Sequence, residues 1–106
     1  MTDDQLDLVF GALADRTRRA ILARLAHEDA NVGDLTALFT MSQPAISKHL
    51  KVLEQAGLIS RNRQGTMRLS HLEAEPLKEA TGWLADYREY WTESYVRLDE
   101  LLDSLD

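Results

Sequence analysis

Cysteine is absent from this 106-residue chain, so disulfide bonds, thiolate metal sites and thiol redox chemistry are excluded. Long apolar runs are missing too, and none approaches the length of a membrane span. The first ten residues, MTDDQLDLVF, are acidic where a secretory signal would be basic. We therefore expect one soluble domain, covering residues 1–106, in the reducing cytoplasm.

Catalytic patterns are lacking as well. The sequence contains no recognisable nucleophile–base pair, metal-ligand spacing or glycine-rich phosphate loop, and its three histidines, His27, His49 and His71, are scattered. These features predict no enzyme and no metal or cofactor site within one chain, so zinc, cadmium and arsenite should not regulate the protein. A site assembled across two chains from histidine and carboxylate side chains stays open.

Positive charge is scarce overall but concentrated in one segment. The formal net charge is −6, yet residues 42–68 carry five basic side chains against one acidic side chain, a net charge of +4. The flanking segments have net charges of −3 and −7. The local electrostatic field, rather than the net charge of the chain, decides whether a polyanion can bind. The segment is therefore either a nucleic-acid contact or a solvated charged face.

Hydrophobic spacing predicts four short helices in the first half of the chain. The first covers residues 4–13, and the second follows Asp15, which can serve as its N-cap. The third covers residues 32–39. The fourth begins at Ser42, a second N-cap, and ends at Gly57, which is typical of a helix C-terminus.

The third and fourth helices form a helix-turn-helix pattern over residues 31–57, because a few residues join them and the fourth exposes polar side chains. Two alternating segments follow, LISRNR and TMRLSH, with QG between them. This alternation predicts a β-hairpin, a wing, over residues 58–71. We predict a mainly α winged helix-turn-helix fold with about five helices.

The last third of the chain is predicted to form one long helix, from Glu75 to Leu105. An apolar residue recurs at every seventh position, with a second row three positions further on. A helix of about 30 residues spans about 45 Å, which exceeds the diameter of so small a domain. The apolar seam should therefore pack against a second chain, although a helix packed wholly on its own domain is the alternative.

Three segments together resemble the ArsR-type winged helix-turn-helix repressors of bacteria: ALADRTRRAILARL, MSQPAISKHLKVLEQAGLIS and LKEATGWLADYREYW. The resemblance covers nearly the whole chain. Within the family, the chain resembles the cysteine-free branch in particular. It implies a homodimer held by the first helix (1–13) and the last (75–106), with the fourth helix in the DNA major groove. The residues expected at the interface are Leu6, Val9, Phe10, Leu13, Leu77, Leu84, Tyr87, Trp91, Leu98, Leu101 and Leu105.

The chain departs from that family in its sensor regions. Metal-sensing members carry a Cys-x-Cys box on the third helix, where this chain reads NVGDLTALF. Others bind zinc through Asp and His on the last helix, which here has no histidine. Arg16 and Thr40 stand where many relatives have proline and glycine, which affects only the local backbone. The sequence identifies no small-molecule effector or protein partner that would release the repressor.

A helix in the major groove needs donors for base edges and cations for phosphates. Gln43 and Ser47 lie in the first turn and a half of the fourth helix, where such helices reach bases. With the cations and the hairpin included, the expected DNA-binding residues are Ser42, Gln43, Ser47, Lys48, Lys51, Arg61, Arg63, Gln64 and Arg68. They predict a sequence-specific transcriptional regulator, a homodimeric repressor of an inverted-repeat operator on double-stranded DNA.

Several alternatives stay open at this stage. His49 lies one turn from core positions and is more typical of a packed, hydrogen-bonded histidine than of a DNA contact. Arg16, Arg18 and Arg19 either pair with acids such as Asp15 or touch phosphate. The whole chain could instead be a winged-helix module for protein–protein contact, and salt-dependent binding to duplex DNA discriminates between these functions.

Overall fold

A computed structural model describes residues 1–105 of the chain, and Asp106, the last residue of the predicted dimerisation helix, lies outside them. The predicted mainly α fold with one β-hairpin is confirmed. The elements in chain order are α1 (Asp3–Leu13), α2 (Arg16–Leu25), α3 (Val32–Phe39), α4 (Gln43–Gln55), β1 (Ile59–Gln64), β2 (Met67–Leu72), α5 (Glu75–Ala85) and α6 (Arg88–Ser104). Among the helices of residues 1–105, none combines the length and the apolar character needed to cross a membrane.

Short polar side chains start the helices that frame the helix-turn-helix. The predicted caps Asp15 and Ser42 are confirmed: their side chains accept hydrogen bonds from the amides of Arg18 at 3.0 Å and Ala45 at 3.3 Å. Asn31 caps α3 in the same way and forms a reciprocal capping box with the third residue of that helix. Each such cap stabilises its helix by about 1 kcal/mol.

The core lies where α4 meets the other elements. Ile46, Leu50 and Leu53 of α4 are all 0% exposed. They belong to a hydrophobic cluster to which α1, α2, α3, β1 and α5 also contribute buried side chains. Burial of one side of α4 fixes which of its residues remain on the surface.

The hairpin is anchored at its base and free at its tip. Ser70 of β2, itself buried, exchanges two backbone hydrogen bonds with Ala30, at 2.8 and 3.2 Å. The turn consists of Gly65 and Thr66, with Gly65 at φ +63°, a backbone conformation that favours glycine. At the tip, β1 therefore extends one residue beyond the prediction, to Gln64, whereas β2 begins one residue later than predicted, at Met67, and these two residues pair at the end of the ladder.

The prediction of one continuous C-terminal helix is wrong, and residues 1–105 form six helices instead of the expected five. The amides of Asp86 and Tyr87 donate to carbonyl oxygens only three residues back, Trp83 at 3.3 Å and Leu84 at 3.0 Å. This tighter turn interrupts the i to i−4 pattern between α5 and α6. Heptad spacing could not reveal the break, because both helices continue the same apolar repeat.

α6 extends away from the rest of the chain. None of its residues is buried, and its aromatic and aliphatic side chains are exposed, Trp91 at 55%. The radius of gyration is 18.2 Å, whereas a compact domain of 100 residues has about 13 Å. The chain on its own leaves a large apolar surface in water, which is uncommon for a monomeric protein.

Thr40, between α3 and α4, has φ +54° and ψ +45°, in the left-handed region that a β-branched residue avoids. We expect Thr40→Gly to raise the free energy of unfolding by about 0.5–1 kcal/mol, because relief of a left-handed strain of about 1–2 kcal/mol exceeds the entropic cost of glycine. Thermal unfolding at fixed protein concentration measures the effect. Thr40→Ala, which keeps a Cβ, is the control and should show no such gain. A lower unfolding temperature for Thr40→Gly would contradict the strain argument.

Candidate nucleic-acid interface

The surface of α4 carries a polar row beside its buried side. Gln43, Ser47 and Lys51 follow one another at intervals of four residues, so they lie on one side of the helix. Gln43, Lys48 and Lys51 are exposed and Ser47 is half-buried. The structure thus brings together these four predicted contacts on a helix whose other side is fixed in the core.

Ser42 has a structural role at the same end of the helix. Its Oγ accepts the hydrogen bond from the Ala45 amide that caps α4, while the side chain stays exposed. A hydroxyl has one proton and two acceptor positions, so capping leaves the proton free for an outside acceptor. Ser42 can therefore serve both the helix start and a phosphate oxygen.

The hairpin carries three arginines, two of them side by side. Arg63 and Arg68 are directly opposite each other in the β-ladder, and both are exposed. Like charges in that position destabilise a strand pair, so an anion placed between them would be favourable. Gln64 lies next to them, also exposed, at the end of β1.

Arg61 lies nearer the base of the hairpin, opposite Ser70. Its Nε is buried and has no hydrogen-bond partner, although the residue as a whole is half-exposed. A buried donor without a partner costs about 1–3 kcal/mol, more when it is charged. Because the chain itself encloses this Nε, an external acceptor can reach Arg61 only through the exposed part of the residue.

The ion pairs of residues 1–105 join Arg18, Arg24 and Arg97 to neighbouring carboxylates, and His49 and His71 lie near the carboxylates of Asp15 and Asp29. The five cations of residues 42–68, namely Lys48, Lys51, Arg61, Arg63 and Arg68, take part in none of them. Their charge remains available to an external polyanion. The same described stretch contains no cluster of three or more His, Asp or Glu side chains able to hold a metal ion.

His49 is packed rather than free. Its side chain is 19% exposed, and its Nδ1 lies 3.5 Å from Nη1 of Arg18 and 3.9 Å from Oδ1 of Asp15. The amide of Arg18 donates to Asp15, and this hydrogen bond, followed by the charge of Arg18, holds the pKa of the Asp15 carboxyl below its usual range. The alternative of a hydrogen-bonded histidine and an arginine paired with Asp15 agrees with these contacts.

Sequence reasoning missed a further role of the arginines after α1. Arg18 donates from Nε to the Ala12 carbonyl at 2.8 Å and from Nη2 to the Gly11 carbonyl at 3.1 Å, and Arg19 donates to the Leu13 carbonyl at 2.8 Å. α1 has no basic residue in its own last turn, so these two arginines supply the cations that a helix C-terminus favours. Basic residues five and six positions after the end of α1 were the available signal.

The expected dimer residues divide by exposure. Val9 is a correction: it is 1% exposed within a single chain and packs in the core beside Ala12, so it has no surface left for a partner. The residues that remain half-buried are Leu6, Phe10, Leu13 and Leu77. The exposed ones are Leu84, Tyr87, Trp91, Leu98, Leu101 and Leu105.

Aromatic contacts join α1 to the C-terminal helices. The ring of Phe10 packs edge-on against Trp83, with centroids 5.6 Å apart, and Trp83 packs against Tyr87 at 5.3 Å. On α6, Tyr90 and Trp91 form a second pair at 5.4 Å. Such pairs hold the aromatic side chains in defined positions, so the apolar surface of α5 and α6 is ordered and not a loose array.

Comparison with known proteins gives a consistent result. The family model for bacterial regulatory proteins of the arsR family matches residues 15–61, which include α2, α3, α4 and the start of β1. The HTH-type transcriptional regulator Rv2034 of Mycobacterium tuberculosis is 40% identical over 98 residues, covering 92% of this chain and 89% of the relative. The transcriptional repressor SdpR of Bacillus subtilis is 38% identical over 79 residues, covering 74% and 88%.

Solved structures agree with this result. The ArsR family transcriptional regulator RHA00566 is 40% identical and has a TM-score of 0.77. The match covers 87% of this chain and 95% of that protein. The homodimeric winged helix-turn-helix DNA-binding domain Mb0332 of Mycobacterium bovis is 27% identical, with a TM-score of 0.66 and coverages of 83% for this chain and 90% for that one.

A histidine–carboxylate pair near the hairpin base gives a pH-dependent prediction. The hydrogen bond of 2.7 Å between His71 Nδ1 and Asp29 Oδ1, with the charge of Asp29, raises the pKa of His71 above its usual value of 6.5. Because the folded pKa is the higher one, the pair stabilises the fold fully below the unfolded pKa and less as pH rises through the folded pKa. We expect Asp29→Asn to lower the pKa of His71, measured by NMR titration of its ring protons.

The control for this titration is Asp34→Asn, which removes a nearby exposed acid of the same segment that is bonded to Asn31 and not to His71. Equal His71 midpoints in the unmodified protein and in Asp29→Asn would show that the pair does not form in solution. A fall of similar size in Asp34→Asn would attribute the shift to the general acidic field instead.

Proposed function

The chain belongs to the arsR family of bacterial regulatory proteins, and we propose that within this family it is a homodimeric repressor that binds an inverted-repeat operator through α4 and the hairpin. As a member of that family it is a transcriptional regulator and not an enzyme. The observation that carries the proposal is the arrangement of α4, buried on one side and polar and cationic on the other, beside a hairpin whose arginines lack ion-pair partners among residues 1–105.

Physical size and charge favour a DNA groove as the target of this surface. The major groove is about 12 Å wide and accepts a helix of about 10–12 Å diameter. The chain is acidic outside residues 42–68, so its other surfaces are repelled by phosphates and only the basic segment can approach. The charge distribution therefore orients the protein on the duplex as well as attracting it.

The side chains of the interface take two roles in this proposal. Gln43 and Ser47, near the start of α4, are assigned to base edges, where the amide of glutamine can pair with adenine N7 and N6. Phosphate contacts are assigned to the remaining predicted residues, which are Ser42, Lys48, Lys51, Arg61, Arg63, Gln64 and Arg68. Base contacts set sequence preference and phosphate contacts set affinity and salt dependence.

A second copy of the chain is the partner that best fits the apolar surface of α5 and α6. The surface continues onto α1 through the contact between Phe10 and Trp83, as expected for an interface built from the first and last helices. A two-fold dimer is the commonest closed assembly, and the Mycobacterium bovis relative is described as homodimeric. Two-fold symmetry would present two copies of α4 to an inverted repeat.

Repression in the cytoplasm completes the proposal. Its support is the Bacillus subtilis relative, which is named a repressor. Transcription from a promoter that carries the selected operator should rise when the gene is deleted and fall again when it is restored. A fall on deletion would identify an activator and contradict this part of the proposal, while leaving DNA binding intact.

Dimerisation is tested by placing a charge in the apolar surface. Trp91→Glu should shift the protein from dimer toward monomer, since removal of a central aromatic residue costs about 2 kcal/mol or more in each of two symmetric sites. Sedimentation at micromolar concentration measures the mass. Thr92→Glu adds the same charge at the adjacent, exposed polar position and should remain dimeric. A monomer mass for the unmodified protein would exclude the dimer.

Recognition of DNA bases by Gln43 is tested by the change Gln43→Ala. The change should cost about 1–3 kcal/mol for each base contact that it removes on the preferred duplex, and little on a scrambled one. Binding titrations on both duplexes measure the difference, after selection of the preferred sequence from random DNA. Gln55→Ala, at the opposite end of α4, is the matched control and should change neither affinity. Equal decreases on the two duplexes would show that Gln43 does not read sequence.

Phosphate binding is tested by Arg63→Ala. This change should weaken binding to both duplexes alike and flatten the slope of log affinity against log salt by about one unit for each phosphate that the dimer no longer neutralises. Lys78→Ala removes an exposed cation outside the basic segment and should leave the slope unchanged. If the unmodified protein binds no duplex in a salt-dependent way, DNA binding itself is excluded.

A further inference from the structure

Arg18 of α2 connects its own helix to α1 and to α4 through its guanidinium. Its guanidinium donates to the last turn of α1, its backbone amide donates to Asp15 at the start of α2, and its Nη1 reaches His49 of α4 at 3.5 Å. The side chains of Arg18 and His49 are 17% and 19% exposed. The contact is therefore a largely desolvated link between the rest of the protein and the proposed reading helix.

The donor and the acceptor in this contact are defined by the chemistry of the arginine side chain. A guanidinium has only donors, so in this hydrogen bond the Nδ1 of His49 is the acceptor. The carboxylate of Asp15, at 3.9 Å, lies beyond hydrogen-bond distance of the ring. His49 is consequently held by Arg18, which two backbone carbonyls of α1 hold in turn.

The position of His49 on α4 determines how the contact with Arg18 affects rotation of the helix. Successive residues are about 100° apart around a helix, so Gln43 and His49 flank the buried Ile46 on opposite sides, each about 60° away. Close packing of Ile46, Leu50 and Leu53 sets which side of α4 faces inward, and a hydrogen bond at the edge of that packed side adds a directional restraint. The bond between Arg18 and His49 therefore opposes rotation of α4 about its own axis.

A small roll would be enough to abolish base reading. At a side-chain radius of about 5–6 Å, a rotation of about 20° moves the tip of a side chain by about 2 Å. Hydrogen-bond distances span only about 0.5 Å, so such a displacement breaks a contact to a base edge. Phosphate contacts by long, flexible lysine and arginine side chains would survive it.

We propose that Arg18 is a positioning residue for DNA recognition: by holding His49 it restrains the small rotation of α4 that core packing leaves, and so aims Gln43 and Ser47 at the bases. The inference rests on the proposed function and adds a residue outside the predicted contact surface. Because Arg18 is anchored on α1, which we assign to the dimer interface, it also ties the direction of α4 to that interface.

The test uses two nearly isosteric changes at His49. In His49→Asn the Oδ1 takes the place of Nδ1 and still accepts from Arg18, whereas His49→Leu has a similar shape and no acceptor. The ratio of affinities for the preferred and scrambled duplexes should fall about tenfold in His49→Leu, the size expected when one base contact is removed, and should remain near the unmodified value in His49→Asn. Affinity for the scrambled duplex should change by less than about twofold in both, because phosphate contacts persist.

A second pair of variants separates the α4 contact from the capping of α1. Arg18→Gln and Arg19→Gln each remove hydrogen bonds to α1 carbonyls, but only Arg18 reaches α4. Arg18→Gln should lose discrimination and Arg19→Gln should keep it, at protein concentrations where both are folded dimers.

Three results would overturn the inference. His49→Leu with full discrimination shows that the contact does not aim the helix, and equal decreases in His49→Asn and His49→Leu show that His49 acts by another route. Equal decreases in Arg18→Gln and Arg19→Gln place the effect in α1. These results leave the proposed function standing, whereas an unmodified protein that binds both duplexes alike contradicts the proposed function and this inference with it.

Discussion

The burial of one side of α4 is the constraint on which the rest of the structure depends. Ile46, Leu50 and Leu53 have no exposed surface, and α1, α2, α3 and β1 pack against α4. Removing such side chains from water stabilises the fold by about 1.5–3 kcal/mol each. The same packing determines which residues of α4 stay outside, so the stability of the domain and the composition of its candidate DNA surface have one physical origin.

A second constraint comes from the residues that the chain cannot bury. α6 has no buried residue, and its exposed aromatic and aliphatic side chains continue the surface that begins with Phe10 and Trp83. A repressor that reads an inverted repeat needs two copies of α4 at a fixed separation. In our proposal a second copy of the chain covers the apolar surface that one chain leaves exposed. This association also sets the distance between the two copies of α4.

The sequence predicted the fold through local signals that act within a few residues. Asp15 and Ser42 as caps, Gly57 as a helix end and the alternation around Gly65 all depend on short-range stereochemistry. Two features depended on tertiary contacts and were beyond such signals, namely the burial of Val9 and the links of Arg18, and the break at Asp86 was hidden because the apolar repeat continues across it. The basic surface was predictable because clustered charge is visible in the sequence, whereas the direction in which α4 faces depends on packing.

Hydroxyl-radical footprinting of the unmodified protein on its selected duplex tests the central claim most directly, because it reads the spacing of the two reading helices on DNA. A dimer that places two copies of α4 in the major groove should protect two regions on each strand, related by two-fold symmetry. Their centres should lie about one helical turn apart, roughly 34–36 Å. A single uninterrupted region, or protection that does not depend on the sequence of the duplex, would contradict the account.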